Sequence, residues 1–109
     1  MLNSLATQLP YYAVIFISLR TEGDHGYAAM AKQMEDLARQ HEGFLGIHHA
    51  RETIGITVSY WKTAEHVRAW KQHSEHLLAQ TLGRSDWYSD YLVKVCRVER
   101  EYARSDAQL

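Results

Sequence analysis

The stretch that decides the fold is Tyr11 to Leu19, "YYAVIFISL", a nearly unbroken run of apolar and β-branched residues. Such a run is typical of a strand that is buried on both of its faces. The residues before it, 1–10, are a polar leader that ends at the only proline of the chain. We therefore expect the folded domain to begin at residue 11.

The rest of the chain alternates between helical and strand patterns. Apolar residues recur at helical spacing in two segments, each of which ends at a glycine. We predict helices at 27–43 and 63–82, strands at 11–19, 44–52, 56–61 and 91–102, and a tail at 103–109. The order β-α-β-β-α-β is that of an α+β, ferredoxin-like fold with an antiparallel sheet and both helices on one face. One domain, residues 11–102, is expected.

This fold leaves one face of the first strand without a cover. The strand is apolar on both faces, but two helices cover only one side of the sheet. A second copy of the same sheet, related by two-fold symmetry, would cover the other side. We therefore predict a homodimer, in which the long last strand exchanges contacts with the partner.

The composition limits the partners and the location. The formal net charge is −1, and no basic stripe stands out, so the sequence gives no support for binding to nucleic acid or to an anionic membrane. Cys96 is the only cysteine, which excludes a disulfide within the chain and favours a reducing compartment. Residues 1–10 do not have the pattern of a signal peptide, and no apolar run is long enough to span a membrane. We expect a cytoplasmic protein.

The second helix concentrates aromatic and titratable residues. The segment "WKTAEHVRAWKQHSEH", residues 61–76, holds two tryptophans and three histidines. His73 and His76 are three positions apart, but one flanks the apolar stripe and the other points to the polar face. The pattern is not the His-Glu-x-x-His of zinc proteases. The pair His48 and His49 lies on a strand, so its members point to opposite faces, and one of them can join a pocket. The sequence therefore predicts no metal site.

Two interpretations of this helix remain open. Trp70 and His73 lean towards the sheet, and Tyr60 and Trp61 end the strand before the helix. A cavity between helix and sheet would then have aromatic walls and an imidazole at its rim, as small-molecule sites do. In the alternative, Trp70 fills the core and His73 is a solvated residue on the helix flank.

The strand-to-helix junction "VSYWKTAEHVRAW" and the ending "GR…WY…Y…VERE" resemble the antibiotic biosynthesis monooxygenase domain, a branch of the dimeric α/β-barrel superfamily. The resemblance runs from about Tyr11 to Tyr102. It implies a dimer whose sheets pack face to face and a pocket between the sheet and the helices of each subunit. It also implies oxidation of an aromatic or quinol-type molecule by molecular oxygen, without metal, flavin or haem.

The resemblance also implies site residues. The cofactor-free members use tryptophan, asparagine, tyrosine and arginine in the pocket. Trp70, Tyr60 and Arg84 match three of these, and His73 would act as base or donor. The asparagine has no counterpart, because the only one in the chain is Asn3, in the leader.

Other members of the family bind and degrade haem. They use an asparagine on the first strand, a tryptophan at the second helix and a histidine further along that helix. Trp70 matches the tryptophan, but the first strand has no asparagine, and Gln80 stands near the place of the histidine ligand. The expected function is therefore cofactor-free oxidation. A non-catalytic homodimer that binds a small ligand is the alternative, and haem degradation is a third.

Overall fold

The structure is a computed structural model that describes residues 2–80 and 87–104. Its elements are β1 (Tyr11–Arg20), α1 (Tyr27–Gln40), β2 (Phe44–Arg51), β3 (Gly55–Trp61), α2 (Ala64–Gln80) and β4 (Tyr88–Val98). This order confirms the predicted ferredoxin-like α+β fold. The described part of the leader contains one short 3₁₀ turn, Ala6–Gln8. Within the described ranges, neither helix has both the length and the apolar character that crossing a membrane requires.

The four strands form one antiparallel sheet in the order β2-β3-β1-β4. The apolar run of β1 therefore lies inside the sheet, where it pairs with β3 on one side and β4 on the other. Ile15, for example, stands opposite Val58 of β3 and Lys94 of β4. Since side chains alternate along a strand, these three residues share one face of the sheet.

Both helices cover the other face. The side chains of Val14 and Phe16 point towards α1 and α2, and a small core forms where the helices meet the sheet. Its buried members are Ala38 from α1, Trp61 from β3 and Val67 from α2. Trp61 has no solvent exposure at all, so it is the anchor of this core.

The face away from the helices is largely apolar and only partly covered. Leu19, Ile56 and Leu92 on this face are 38%, 44% and 54% exposed. At one end of the face the leader covers Tyr11, which is only 4% exposed and donates a hydrogen bond of 2.6 Å to Glu101. The face for which the sequence predicts no helix is thus covered at one end and exposed to solvent over the rest.

The last strand differs from its prediction. It was expected at 91–102, but it begins at Tyr88, which pairs with Arg20 beyond a register shift, and ends at Val98. The chain then leaves the sheet, and Glu101 accepts hydrogen bonds from Ser4 and from the amide of Leu5. The predicted bounds of this strand are therefore wrong, because the segment after Val98 contacts the leader of its own chain. The exchange of contacts with a partner stays a prediction.

Local signals in the sequence fix the start of α2, which positions Trp70. The amide of His66 donates to the hydroxyl of Thr63 at 3.1 Å, which confirms the predicted N-cap. Before β2 the backbone of Gly43 takes a φ of 84°, and a Cβ there would collide with the ring of His66. The predicted end of α2, at Leu82 and Gly83, lies outside the described residues.

Candidate functional site

A cleft of about 820 Å³ lies between the sheet and the two helices. Its lining is largely apolar, with Val14, Phe16, Ile47, Val93 and Val95 from the sheet and Met30, Met34, Trp70 and Leu78 from the helices. Sites for small organic molecules are apolar clefts of about 300–1,000 Å³ with a few polar groups. The cleft therefore has the size and the apolar character of a site for a small organic molecule.

One end of the cleft is formed by Trp70, which packs on the buried Trp61. The ring of Trp70 stacks on that of Trp61, with centroids 5.5 Å apart and planes 22° from parallel. The indole N–H of Trp61 donates to the hydroxyl of Ser59 at 2.9 Å, and Phe44 packs edge-on against the same ring. Trp70 is thus fixed by the core and also forms a wall of the cleft, so both interpretations of this residue hold at once.

The other end of the cleft is a cluster of aromatic rings. Tyr27 and Tyr88 meet edge to face at 5.7 Å, and Phe16 contacts Tyr88 at 5.3 Å and Tyr91 at 5.5 Å between centroids. Burial above all, and then its hydrogen bond with Tyr27, raises the pKa of Tyr88. Its hydroxyl therefore stays neutral across the physiological range, and the hydrogen bond joins the two tyrosines at this end of the cleft.

Charged side chains stand along the helical rim of the cleft. Lys32 pairs with Asp36 at 3.0 Å on α1, and Lys71 pairs with Glu75 at 3.9 Å on α2. Neither lysine is therefore a free charge facing the cleft. Charges of both signs thus alternate along this rim.

The sheet also contributes one imidazole. His49 on β2 lines the cleft, and its Nε2 lies 3.9 Å from a carboxylate oxygen of Glu35 on α1. A register shift between Phe44 and Gly46 places it there, because the extra residue in β2 reverses which side chains face the helices. His49 now stands opposite Thr57, a cleft residue, while His48 stands opposite Val58 on the other face.

The predicted site residues are separated by the sheet. Trp70 lines the cleft as expected. His73 does not line it: the ring lies on the exposed flank of α2, 5.5 Å from the ring of His41 and 6.1 Å from that of Trp70. The reason is the helical repeat, because the row of cleft-lining positions that contains Val67, Ser74 and Leu78 leaves position 73 to one side. Arg84 lies outside the described residues.

Tyr60 occupies the opposite face of the sheet. It is adjacent to Trp61 in β3, and neighbours along a strand point to opposite faces, so both cannot enter the cleft. The hydroxyl of Tyr60 lies 3.0 Å from Nδ1 of His48, and its ring meets Tyr11 edge to face at 5.9 Å. Burial, and then the negative charge of Glu101, raises the pKa of Tyr60. The expectation that Tyr60 shares a pocket with Trp70 is therefore wrong.

The cleft does not offer the ligand that haem iron would need from α2. The positions of α2 that line it are Val67, Trp70, Lys71, Ser74, Glu75 and Leu78. None of them is a histidine, and both His73 and His76 are on the exposed side of the helix. Among the described residues, no three metal-ligating side chains converge either. The described part of α2 therefore does not fit a haem in this cleft.

Comparison with known proteins agrees with this architecture. Residues 10–82 match the model of the antibiotic biosynthesis monooxygenase family. The chain is also 47% identical over 94 residues to the uncharacterized protein YqjZ of Bacillus subtilis, covering 84% of this chain and 82% of that protein.

Solved structures share the fold at low sequence identity. A conserved protein from Methanosarcina mazei superposes with a TM-score of 0.71 at 11% identity, over 84% of this chain and 96% of the other. A candidate antibiotic biosynthesis monooxygenase from Nitrosomonas europaea gives 0.67 at 13% identity, over 88% of this chain and 94% of the other. The family match spans more than half of the sequence, from the start of β1 to the end of α2. The chain thus belongs to the antibiotic biosynthesis monooxygenase family.

Proposed function

We propose that this protein binds a neutral, fused-ring aromatic or quinol-type molecule in the helix–sheet cleft and oxidises it with molecular oxygen, without a cofactor. The observation that carries the proposal is the cleft itself, with its volume of about 820 Å³ and aromatic rings at both ends. Family membership supports the same chemistry. Trp70 would form the wall at one end, and the aromatic cluster around Tyr88 would form the wall at the other.

The reaction needs little from the protein beyond the cleft. A hydroxylated aromatic becomes electron-rich when it loses a proton, and it can then reduce oxygen directly. For an anthrone, the methylene carbon gains one oxygen atom, and the second atom leaves as water with the two hydrogens of the methylene group. The protein would supply a dry cavity, a proton acceptor and a donor for the developing oxyanion.

We also propose that the protein works as a homodimer, assembled through the open face of the sheet. Leu19, Ile56 and Leu92 form an apolar surface on that face, and a second copy would cover it. Because the cleft lies on the opposite face, each subunit would keep its own site. The cytoplasm is the location we propose, on the basis of the single cysteine.

The experiment that tests the proposed activity uses dithranol, an anthrone with phenolic hydroxyl groups, and isotopically labelled oxygen gas. The proposal predicts faster oxygen uptake with the protein than without it, and a quinone product that carries one labelled oxygen atom. A chelator in the assay should leave the rate unchanged.

Two results would contradict it. Dithranol that binds but is oxidised no faster than in buffer would identify the protein as a binding protein, the alternative that the sequence left open. A rate that the chelator abolishes would show that a metal is required.

A further inference from the structure

The cleft contains one imidazole, and it is not the one that the sequence favoured. All seven histidines of the chain lie within the described residues, and His49 is the one that lines the cleft. Imidazole is the side chain that exchanges a proton near neutral pH. The other ionisable groups of the lining are paired lysines and carboxylates and tyrosines. His49 is therefore the natural proton acceptor of this site.

The carboxylate of Glu35 lies next to the imidazole of His49. One oxygen of Glu35 lies 3.9 Å from Nε2 of His49, and the other accepts hydrogen bonds of 3.1 and 3.2 Å from Arg39. The guanidinium thus holds the carboxylate in place while its free oxygen faces the ring. A carboxylate in this position can accept a hydrogen bond from the ring N–H and orient the imidazole. A base with a carboxylate behind it is a recurring arrangement in enzymes, and its hydrogen bonds are often long before substrate binds.

The position of His49 suits a substrate that enters from solvent. Its side chain is 66% exposed and that of Glu35 is 33% exposed, so the pair stands at the mouth of the cleft rather than in its floor. A ligand that fills the apolar interior would leave its polar edge at this mouth. In this orientation of the ligand, a hydroxyl group on the edge that faces β2 would lie near His49. The cleft therefore favours an aromatic molecule that carries such a group.

We infer that His49 is the general base of the cleft, that it takes the proton of a phenolic hydroxyl group of the bound aromatic, and that Glu35 is its positioning residue. The inference rests on the proposed function and names its substrate class. In the step, the O–H bond of the phenol breaks and an N–H bond forms on the imidazole. The electron pair stays on the phenolate oxygen, and the phenolate is the form that oxygen oxidises.

The test separates proton transfer from oxidation. α-Naphthol is added anaerobically, its binding is followed by tryptophan fluorescence, and its phenolate is followed by difference absorbance. The variants are His49→Gln, Glu35→Gln and His48→Gln, the last being a matched control because His48 faces the other side of the sheet. We expect bound phenolate near neutral pH in the wild type and in His48→Gln, and its loss in His49→Gln with binding retained.

The same variants are then assayed for oxygen uptake with dithranol. His49→Gln should lower kcat by about 100-fold, the contribution of a general base, while KM changes little. Glu35→Gln should lower kcat while KM changes little, because the ring of His49 is no longer oriented by a carboxylate. Glu35→Asp, which keeps the carboxylate, should recover part of that loss. A purely structural role of Glu35 would instead change KM and stability together with kcat.

The outcomes distinguish the two proposals. Phenolate that forms equally in His49→Gln, or naphthol that does not bind, overturns the inference. Phenolate that depends on His49 in a protein that never accelerates oxidation supports the inference about the base and overturns the proposed oxidation instead.

Discussion

The indole rings of Trp61 and Trp70 stack at 5.5 Å between centroids, and this contact joins the end of β3 to the middle of α2. Trp61 is fully buried, whereas Trp70 is half-buried and shows its other side to the cleft. The side chain of Trp70 therefore holds α2 on the sheet and also forms part of the candidate site. Loss of activity on substitution of Trp70 has to be separated from loss of stability.

The first prediction concerns this contact. Trp70→Ala should lower the free energy of unfolding by about 3 kcal/mol, the lower end of the usual cost of removing a packed tryptophan, because Trp70 is only half-buried. Trp70→Phe should cost clearly less, since a ring still covers Trp61. Urea unfolding at a fixed protein concentration measures both. Equal stability of Trp70→Ala and wild type would show that the stacked pair does not hold α2 in place.

The second prediction concerns the open face of the sheet. Leu92→Glu should convert a dimer into monomers, because it places two carboxylates in the proposed apolar interface. The isolated subunit should fold normally, since Leu92 is already 54% exposed in it. Sedimentation equilibrium measures the association. Ile54→Glu is the matched control, because Ile54 is 52% exposed but lies in the turn between β2 and β3. A Leu92→Glu protein that stays dimeric would place the interface elsewhere.

The third prediction concerns the contact between the two ends of the chain. Hydrogen bonds from Ser4 and Tyr11, together with the amide of Leu5, lower the pKa of Glu101 from its ordinary 4.5. A carboxylate with a lowered pKa stabilises the fold fully above that ordinary value, and the stabilisation is lost as the pH falls through the folded pKa. The leader should therefore stay attached at pH 4.5 and be released only in stronger acid.

The amide resonance of Leu5 reports this release by NMR. Its chemical shift should titrate with a midpoint below 4.5, and in Glu101→Ala the titration should be absent. Glu99→Ala is the control, because Glu99 pairs with Arg97 at 3.3 Å and does not contact the leader. A midpoint at or above 4.5 in the wild type would mean that Glu101 is not held by these donors.

The sequence predicted the fold well because its main signals are local. The run from Tyr11 to Leu19, the cap at Thr63 and the helical spacing of the apolar residues each depend on a few neighbouring side chains. The end of β4 was missed because it depends on a contact with residues almost a hundred positions away. Glu101 turns towards Ser4 and Tyr11, and nothing in the pattern "VEREY" indicates that.

The site was harder to predict because it depends on which face each strand residue occupies. The position of Tyr60 on the face away from the helices follows from simple alternation with Trp61, a signal that was present in the sequence. The position of His49 in the cleft does not follow from alternation. Counting by two from Phe44 assigns His48 to the helical face, and only the extra residue between Phe44 and Gly46 gives that place to His49. A shift of this kind is set by pairing with β3 and leaves no clear mark in the sequence.

The central claim is that oxidation takes place in the cleft between the helices and the sheet, and blocking the cleft tests it most directly. Ser74 on α2 lines the cleft, and Gln72 lies on the exposed side of the same helix. Oxygen uptake with dithranol would be measured for Ser74→Trp and Gln72→Trp, after circular dichroism has shown that both are folded. The account predicts that Ser74→Trp abolishes the catalysed uptake and Gln72→Trp keeps it. Full uptake in folded Ser74→Trp would contradict the account, because the reaction would then occur outside this cleft.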